Sequence, residues 1–323
     1  MARRGCLLPA LAVLGLLVAG WSVVGGWVAR GPLTHAEDVI VPERATLGTV
    51  AVELQRHGAI VSARGFRLRA RLFHPGAVLK AGEFLLPPGA SESRILAILS
   101  GDMAVRRFVT IPEGMPSVEV ADRLRAQSML TGPVAVPAEG SVLPQTYDYR
   151  RGDPRAALLA RMQAGMSHAL AELWAQRAPD LPVKTPEQAL ILASIVEKET
   201  AKPAERPMVA GLYENRLRRK IMLQADPTII YPITRGRPLG RRIRQSEITA
   251  VNDYNTYAMT GLPRAPITNP SLSSIAAVLH PAETDALYMV ADGSGGHVFA
   301  ATLAEHNRNV ARWFAIRRAR GEL

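Results

Sequence analysis

The 323-residue chain holds a single cysteine, and aromatic residues make up only 5% of it. A disulfide framework is therefore excluded. With so few rings, and none interleaved with basic residues, a groove for single-stranded nucleic acid is the poorest fit to the composition. Metal-ligand spacing is also missing: His280, His297 and His306 match no compact signature, so no metal site is expected. The run Asp292-Gly293-Ser294-Gly295-Gly296 lies between two strand-like stretches, Leu287–Ala291 and Val298–Ala301. It reads as a hairpin loop rather than a phosphate cradle, and it lacks the acidic ligands of a calcium loop. What is plentiful is apolar and basic. The hydrophobic fraction of 48% can fill a core, which argues against disorder. Lys and Arg number 39 against 28 acidic residues, a net charge of +11, which suits nucleic acid, an anionic membrane surface or an acidic polymer and does not choose among them. The length suits two domains, or one large domain with an appendage.

Arg3 and Arg4 precede an uncharged stretch from Gly5 to Val28. As a helix at ~1.5 Å per residue it reaches about 36 Å, enough to cross a hydrocarbon layer of ~30 Å. Trp21 and Trp27 fall near its outer end, where indoles favour the membrane interface. A cleaved signal peptide is the competing reading. The apolar stretch is too long for one, and no small-residue cleavage site follows it, so an uncleaved anchor is expected. The leading arginines place the N-terminus in the cytoplasm and everything after about Arg30 outside the inner membrane. Cys6 lies within the anchor, which leaves the exported part free of thiols, as an oxidising compartment favours. No second stretch is long and uncharged enough to span, so a single pass is expected.

Next comes a quasi-repeat. Val39-Ile40-Val41-Pro42, Phe84-Leu85-Leu86-Pro87 and Val109-Thr110-Ile111-Pro112 each read as a short strand and turn, followed by an amphipathic helix. Ser91 is placed to cap the second helix, and Pro116-Ser117 to open the third. Such units pack into a compact αβ module, either a scaffold or a polymer binder; the pattern alone does not separate these. A helix with an apolar side follows over about 154–176. Thr185-Pro186-Glu187-Gln188 then supplies a capping Thr, a first-turn Pro and a Gln three residues after the cap. The helix it starts is apolar nearly all round through Val196, so it is expected to be buried. It runs into Glu197-Lys198-Glu199-Thr200, and Pro203 stops it.

Glu199 shares a face with Leu192, Ile195 and Val196. An apolar neighbourhood and the negative end of the helix dipole both raise a carboxyl pKa, as a general acid near neutral pH requires. Glu197 lies about 200° round the helix and cannot flank the same bond. Two ordinary helix-end glutamates in surface pairs remain the bland alternative at this point. A second amphipathic helix is expected over Glu205–Arg219, then a strand-like Ile229-Ile230-Tyr231. Loops rich in amides, hydroxyls and tyrosines follow, among them Asn252–Tyr257 and Ile267-Thr268-Asn269-Pro270, a composition that suits a sugar cleft. Arginines at 235, 237, 241, 242 and 244 read as a solvated face, with contact to anionic polymer or lipid as the minority reading. His306, Trp313 and Phe314 read as packing residues of the last helix.

Ala193-Ser194-Ile195-Val196-Glu197-Lys198-Glu199-Thr200, Glu205-Arg206, Asn215-Arg216-Leu217 and Leu223-Gln224-Ala225-Asp226-Pro227-Thr228 resemble the MltG/YceG family. So do Tyr254-Asn255-Thr256-Tyr257, Gly261-Leu262-Pro263 and Ala291–His297. The resemblance is dense over 189–307 and weaker before 140. Ala225 and Pro232 depart from it, standing where relatives often carry Thr and Gly. It implies an α+β chain in four parts: a cytoplasmic N-terminus over 1–4, a transmembrane anchor over 5–28, a LysM-like αβ module over 29–105, and a catalytic domain over 106–323. It implies a membrane-anchored endolytic murein transglycosylase cutting between N-acetylmuramic acid and N-acetylglucosamine and leaving 1,6-anhydro ends, with Glu199 as the catalytic acid. Gln224, Asp226, Tyr254 and Asn255 are candidate substrate contacts. No cofactor is expected. The partners implied are peptidoglycan glycan strands, the inner membrane and penicillin-binding peptidoglycan synthases, with no nucleic acid. Two rivals stay open: a hydrolytic muramidase, for which Asp226 is the second carboxylate to check, and a non-catalytic glycan-binding scaffold.

Overall fold

The computed structural model describes residues 20–322, which form two compact units: the chain through Arg107 with Asp148–Gly152, and Phe108–Tyr147 with Asp153 onward. Most of the expected anchor lies outside the described residues; of it, residues 20–28 are described and helical. No helix among the described residues is long and apolar enough to cross a membrane. Trp27 is not at an exposed interface. It is 5% exposed and its ring stacks on Phe73 at 5.5 Å, with Phe66 and His74 beside it.

In the first unit β1 (Glu37–Val41) runs antiparallel to β2 (Gly82–Leu86), in a register that sets Val39 opposite Phe84. Alternation turns Val39, Val41, Phe84 and Leu86 inward. Between the strands lie α1 (Leu47–Arg56), capped by Thr46, and α2 (Ala63–Phe73), capped by Ser62. After β2 comes α3 (Glu92–Ser100), whose first turn Ser91 caps at 3.2 Å as expected. Leu54, Phe66, Ile95 and Leu99 join the strand residues in one core. The expected strand–turn–helix units appear as β1–α1 and β2–α3. The third is β3 (Arg107–Thr110) followed by α4 (Ser117–Arg125), and β3 pairs with β4 (Thr146–Tyr149). Helix α2 was not anticipated, although Ser62 caps it and Phe66, Ala70 and Phe73 lie on one face.

The second unit is built around α6 (Pro186–Glu199), which follows the long α5 (Arg155–Ala175). Thr185 caps α6 by accepting from the Gln188 amide at 3.2 Å. Leu192, Ala193, Ile195 and Val196 are fully buried, and burying each of the larger ones stabilises by roughly 1.5–3 kcal/mol. They pack against α7 (Arg206–Arg218) and α10 (Leu272–Leu279), with Met166 of α5 in the same core. Gly211 lets α7 close on the segment after α10, since a Cβ there would stand 2.6 Å from the Ala282 carbonyl oxygen. α8 (Asp226–Thr234) and the short α9 (Gln245–Ile248) precede α10. The chain ends in a hairpin of β5 (Tyr288–Ala291) with β6 (His297–Ala300) and then α11 (Leu303–Ala319).

Two expectations are corrected. Ile229-Ile230-Tyr231 is helical, not extended. Asp226 in the first turn and Pro227 beside it are helix-start signals, and they override the β-branched pair. Phe314 is 43% exposed, and no residue of α11 is fully buried. The hairpin loop at 292–296 is as expected. Of the five loop arginines, Arg237 pairs with Asp122 and Arg241 with Glu247.

Candidate active site

Helix α6 ends at Glu199 because Thr200 is extended and Pro203 opens a 3-10 turn. Its last turn carries two glutamates in opposite surroundings. The Glu197 side chain is 5% exposed, and its Oε2 accepts from the Ser271 amide at 2.9 Å, the Ser271 hydroxyl at 2.6 Å and the Ser274 hydroxyl at 2.7 Å. Its Oε1 accepts from Arg206 Nη2 at 3.2 Å. Arg206 is buried too, and reaches Glu113 at 3.1 Å. Glu197 is thus a structural anchor and not a surface residue, contrary to the bland alternative.

Glu199 lacks that set of donors. Its Oε1 is shut off from solvent and has no hydrogen-bond partner. Burial pushes its pKa up to about 7. The Tyr213 hydroxyl works against that rise by hydrogen bonding, the negative charge of Asp226 adds to it, and Arg216 opposes it. The carboxyl therefore keeps its proton near neutrality, which is the state a proton donor needs.

The surrounding side chains are held tightly. Tyr213 and Arg216 sit three residues apart on α7, so both face the last turn of α6. Burial and the neighbouring Glu199 carboxyl raise the Tyr213 phenol well above its usual value, so it remains a donor. Arg216 is spent on carbonyl oxygens: Leu287 at 2.6 Å, Met222 at 3.0 Å and Leu223 at 2.9 Å. It also reaches Gln224 Oε1 at 3.3 Å. Gln224 has a left-handed backbone (φ 52°), and its amide is tied to the Thr256 carbonyl at 3.1 Å. Thr256 accepts in turn from the Ala225 amide at 3.0 Å and meets the Thr228 hydroxyl at 2.8 Å. That chain fixes the start of α8, which leaves Gln224 and Asp226 exposed. Tyr257 donates to Asp226 Oδ1 at 2.7 Å.

Of the expected contacts, then, Asp226 acts on Glu199 through its charge, and Gln224 accepts from Arg216, whose charge also acts on Glu199. Tyr254 is half-buried with its ring 4.9 Å from that of Tyr231. Tyr231 lines a groove of about 470 Å³ with Glu113, Met115, Lys198 and Arg237. Asn255 does not face a ligand. It is fully buried, with its amide nitrogen spent on the carbonyls of Ile248 at 2.9 Å and Ala250 at 2.7 Å, and its oxygen on the Tyr257 amide at 3.0 Å. Asn269 is likewise buried, accepting from the Val142 amide at 3.0 Å and donating to the Met115 carbonyl at 2.8 Å. Part of the amide-rich loop composition thus braces backbone.

Sequence reading singled out no role for Tyr213 or Tyr257, although the helical spacing of Tyr213 and Arg216 was there to be used. It missed Glu205 as well. That carboxylate accepts from the His297 amide at 3.1 Å and the Thr200 hydroxyl at 3.0 Å, and it lies 2.9 Å from His297 Nδ1. It thereby pins the residue that follows Glu199. Among the described residues no three of His, Cys, Asp and Glu cluster so as to hold a metal ion.

Fold and site together define an α+β protein whose buried helix α6 ends in a carboxyl with one oxygen sealed and unpartnered. The profile of the YceG-like family matches residues 39–312, and the chain belongs to that family. It is similar to the endolytic murein transglycosylase of Bacillus subtilis (strain 168), with 24% identity over 303 residues, 84% of this chain and 83% of that one. The endolytic murein transglycosylase of Streptococcus pneumoniae serotype 2 is 33% identical over 215 residues, 64% of this chain but 36% of that protein. The chain therefore spans about a third of the longer pneumococcal relative. A crystal structure of a yceG-like protein from Listeria monocytogenes shares the fold, with a TM-score of 0.54 at 24% identity over 85% of this chain and 98% of that one.

Proposed function

We propose that this chain is an endolytic murein transglycosylase that cuts nascent peptidoglycan strands and so ends their elongation. The single observation that carries this reading is the Glu199 carboxyl, sealed at Oε1 and without a partner there, whose burial pushes its pKa up to about 7. Glu199 gives its proton to the glycosidic oxygen as the bond between N-acetylmuramic acid and N-acetylglucosamine breaks. The resulting carboxylate then takes the proton of the muramyl 6-hydroxyl, whose oxygen bonds to its own anomeric carbon and closes the 1,6-anhydro ring. Because the nucleophile is intramolecular, no second carboxylate is needed to activate water. Gln224, Asp226 and Tyr254 are the proposed substrate contacts, while Asn255 acts through the loop it braces.

The organisation proposed is an inner-membrane anchor over 5–28 with a cytoplasmic N-terminus, a LysM-like module over 29–105 and a periplasmic catalytic domain over 106–323. The β1–α1–α2–β2 order, with its antiparallel strands, supports the LysM likeness. Proximity to penicillin-binding synthases is part of the same proposal and rests on family likeness alone. The hydrolytic reading keeps one point in its favour, since Asp226 lies close enough for its charge to raise Glu199.

Mass spectrometry of purified sacculi digested with the protein tests all three readings. New 1,6-anhydro ends are expected. New reducing ends would make the protein a muramidase, and no new ends would make it a scaffold.

A further inference from the structure

Helix α2 has a face that the fold leaves uncovered. Its sequence from Ala63 to Phe73 contains four arginines and no acidic residue. Phe66 and Ala70 are buried, and Arg69 is paired with Glu92 at the margin of the core. The opposite arc, about 140° wide at 100° per residue, carries Arg67, Arg71, Arg64, Leu68 and Leu72 in that order round the helix. All five are exposed, Leu68 at 63% and Leu72 at 62%. None of these three arginines enters an ion pair among the described residues. Cations on one side and leucines on the other are the pattern of a helix lying in a lipid headgroup layer.

A second, independent observation places this helix beside the apolar N-terminal segment. Trp27 closes the described helical stretch 20–28, and its ring stacks on Phe73 of α2. The Arg69 guanidinium approaches Gly26 so closely that a Cβ there would lie 3.0 Å from it. On the same stretch Trp21 is 79% exposed, with Val24 and Val28 also exposed at helical spacing. The helix that continues the Gly5–Val28 apolar run is thus packed on α2 itself.

We infer that α2 is an interfacial helix that lies on an anionic lipid bilayer, its arginines among headgroup phosphates and Leu68 and Leu72 in the acyl boundary. The inference rests on the anchored reading of the N-terminus: Trp27 packs on Phe73, on the side of α2 away from the exposed arc, so an anchor leading from that stretch holds α2 near the bilayer and leaves the arc free to meet it. Each basic residue near an anionic surface strengthens binding several-fold, so three act together on the order of a hundredfold.

The test uses the full chain with Cys6→Ser and Leu72→Cys, the new thiol carrying a polarity-sensitive fluorophore. The protein is reconstituted into phosphatidylglycerol-rich vesicles and, separately, into pure phosphatidylcholine. A blue shift is expected in the anionic vesicles, smaller in phosphatidylcholine, and lost when Arg64, Arg67 and Arg71 are all replaced by Glu. A probe at Val52→Cys on α1, exposed in the same unit, is expected to report water throughout. Water-like emission from the Leu72 probe in both lipids, or equal shifts at Val52 and Leu72, overturns the inference. Failure of the chain to float with phosphatidylcholine vesicles overturns the anchored reading instead. A shifted Leu72 probe in anionic vesicles would then still support the surface.

Discussion

Glu197 and Glu199 close the same turn of α6, two residues apart, at the same negative end of one helix dipole. Around Glu197 the fold converges two serine hydroxyls, a backbone amide and a buried arginine. Around Glu199 it converges apolar side chains and a phenol, and leaves Oε1 without a donor. The helix therefore does not decide what either carboxyl does; the donors delivered by other segments do. A carboxyl met by four donors is fixed in place and fixes structure. An unsatisfied one holds its proton, and its protonation becomes available to chemistry.

The largest expected effect lies on the unsatisfied side. Glu199→Gln removes the only proposed proton donor, so formation of anhydro ends falls by roughly 10²–10⁴-fold or more in timed sacculus digests. The fold is expected to survive, and the sign of linkage says how. The Glu199 pKa is raised in the folded state, so its stabilising share is fully present at acid pH and is lost as pH rises through about 7. Glu199→Gln should then unfold at higher urea than the parent above neutrality and lose that advantage near pH 4. Glu197→Ala is the converse. It leaves buried Arg206 with only the exposed Glu113 carboxylate as counter-charge and takes the acceptor from two serine hydroxyls, and urea unfolding should show a loss of about 3 kcal/mol. The molecules that remain folded keep their activity per site. Ser271→Ala removes one strong donor from Glu197 and should cost about 1.5–3 kcal/mol in the same assay. Loss of chemistry in folded Glu197→Gln equal to that in Glu199→Gln would break the contrast.

Half of this contrast was legible in the sequence. The cap at Thr185, the apolar run and the position of Glu199 on the Leu192–Ile195–Val196 face all follow from 3.6-residue periodicity, which is local information. The other half was not. Glu197 looks like a surface residue until Ser271 and Ser274 arrive from more than seventy residues away and Arg206 folds back from the next helix, and no spacing rule predicts that meeting. Asn255 fails for the same reason: an amide in a polar loop looks like a sugar contact, and only the closure of 247–257 on itself turns it inward. The helix α8 and Trp27 fail differently. At Ile229-Ile230-Tyr231 the helix-start signal of Asp226-Pro227 outweighs a weak β-propensity, and at Trp27 packing on Phe73 outweighs the indole's interfacial preference.

The smallest effects test whether the Glu199 side of the comparison is tuned by its neighbours. Activity that depends on protonated Glu199 should fall as pH rises through about 7, giving the pH profile of kcat/KM a basic limb there. Asp226 raises that carboxyl by charge repulsion, so Asp226→Asn should move the limb to lower pH. Tyr213 lowers it by hydrogen bonding, so Tyr213→Phe should move the limb to higher pH. Both shifts are expected to be roughly one pH unit or less, and the Asp226 one is held down because its carboxylate is exposed to screening water. Opposite displacements in the two variants, with the limb unmoved in Ser271→Ala, would locate the tuning at Glu199 alone. A limb that moves the same way in both, or that moves with Ser271, would mean the two carboxyls are not electrostatically separate, and the division of labour at the end of α6 would not hold.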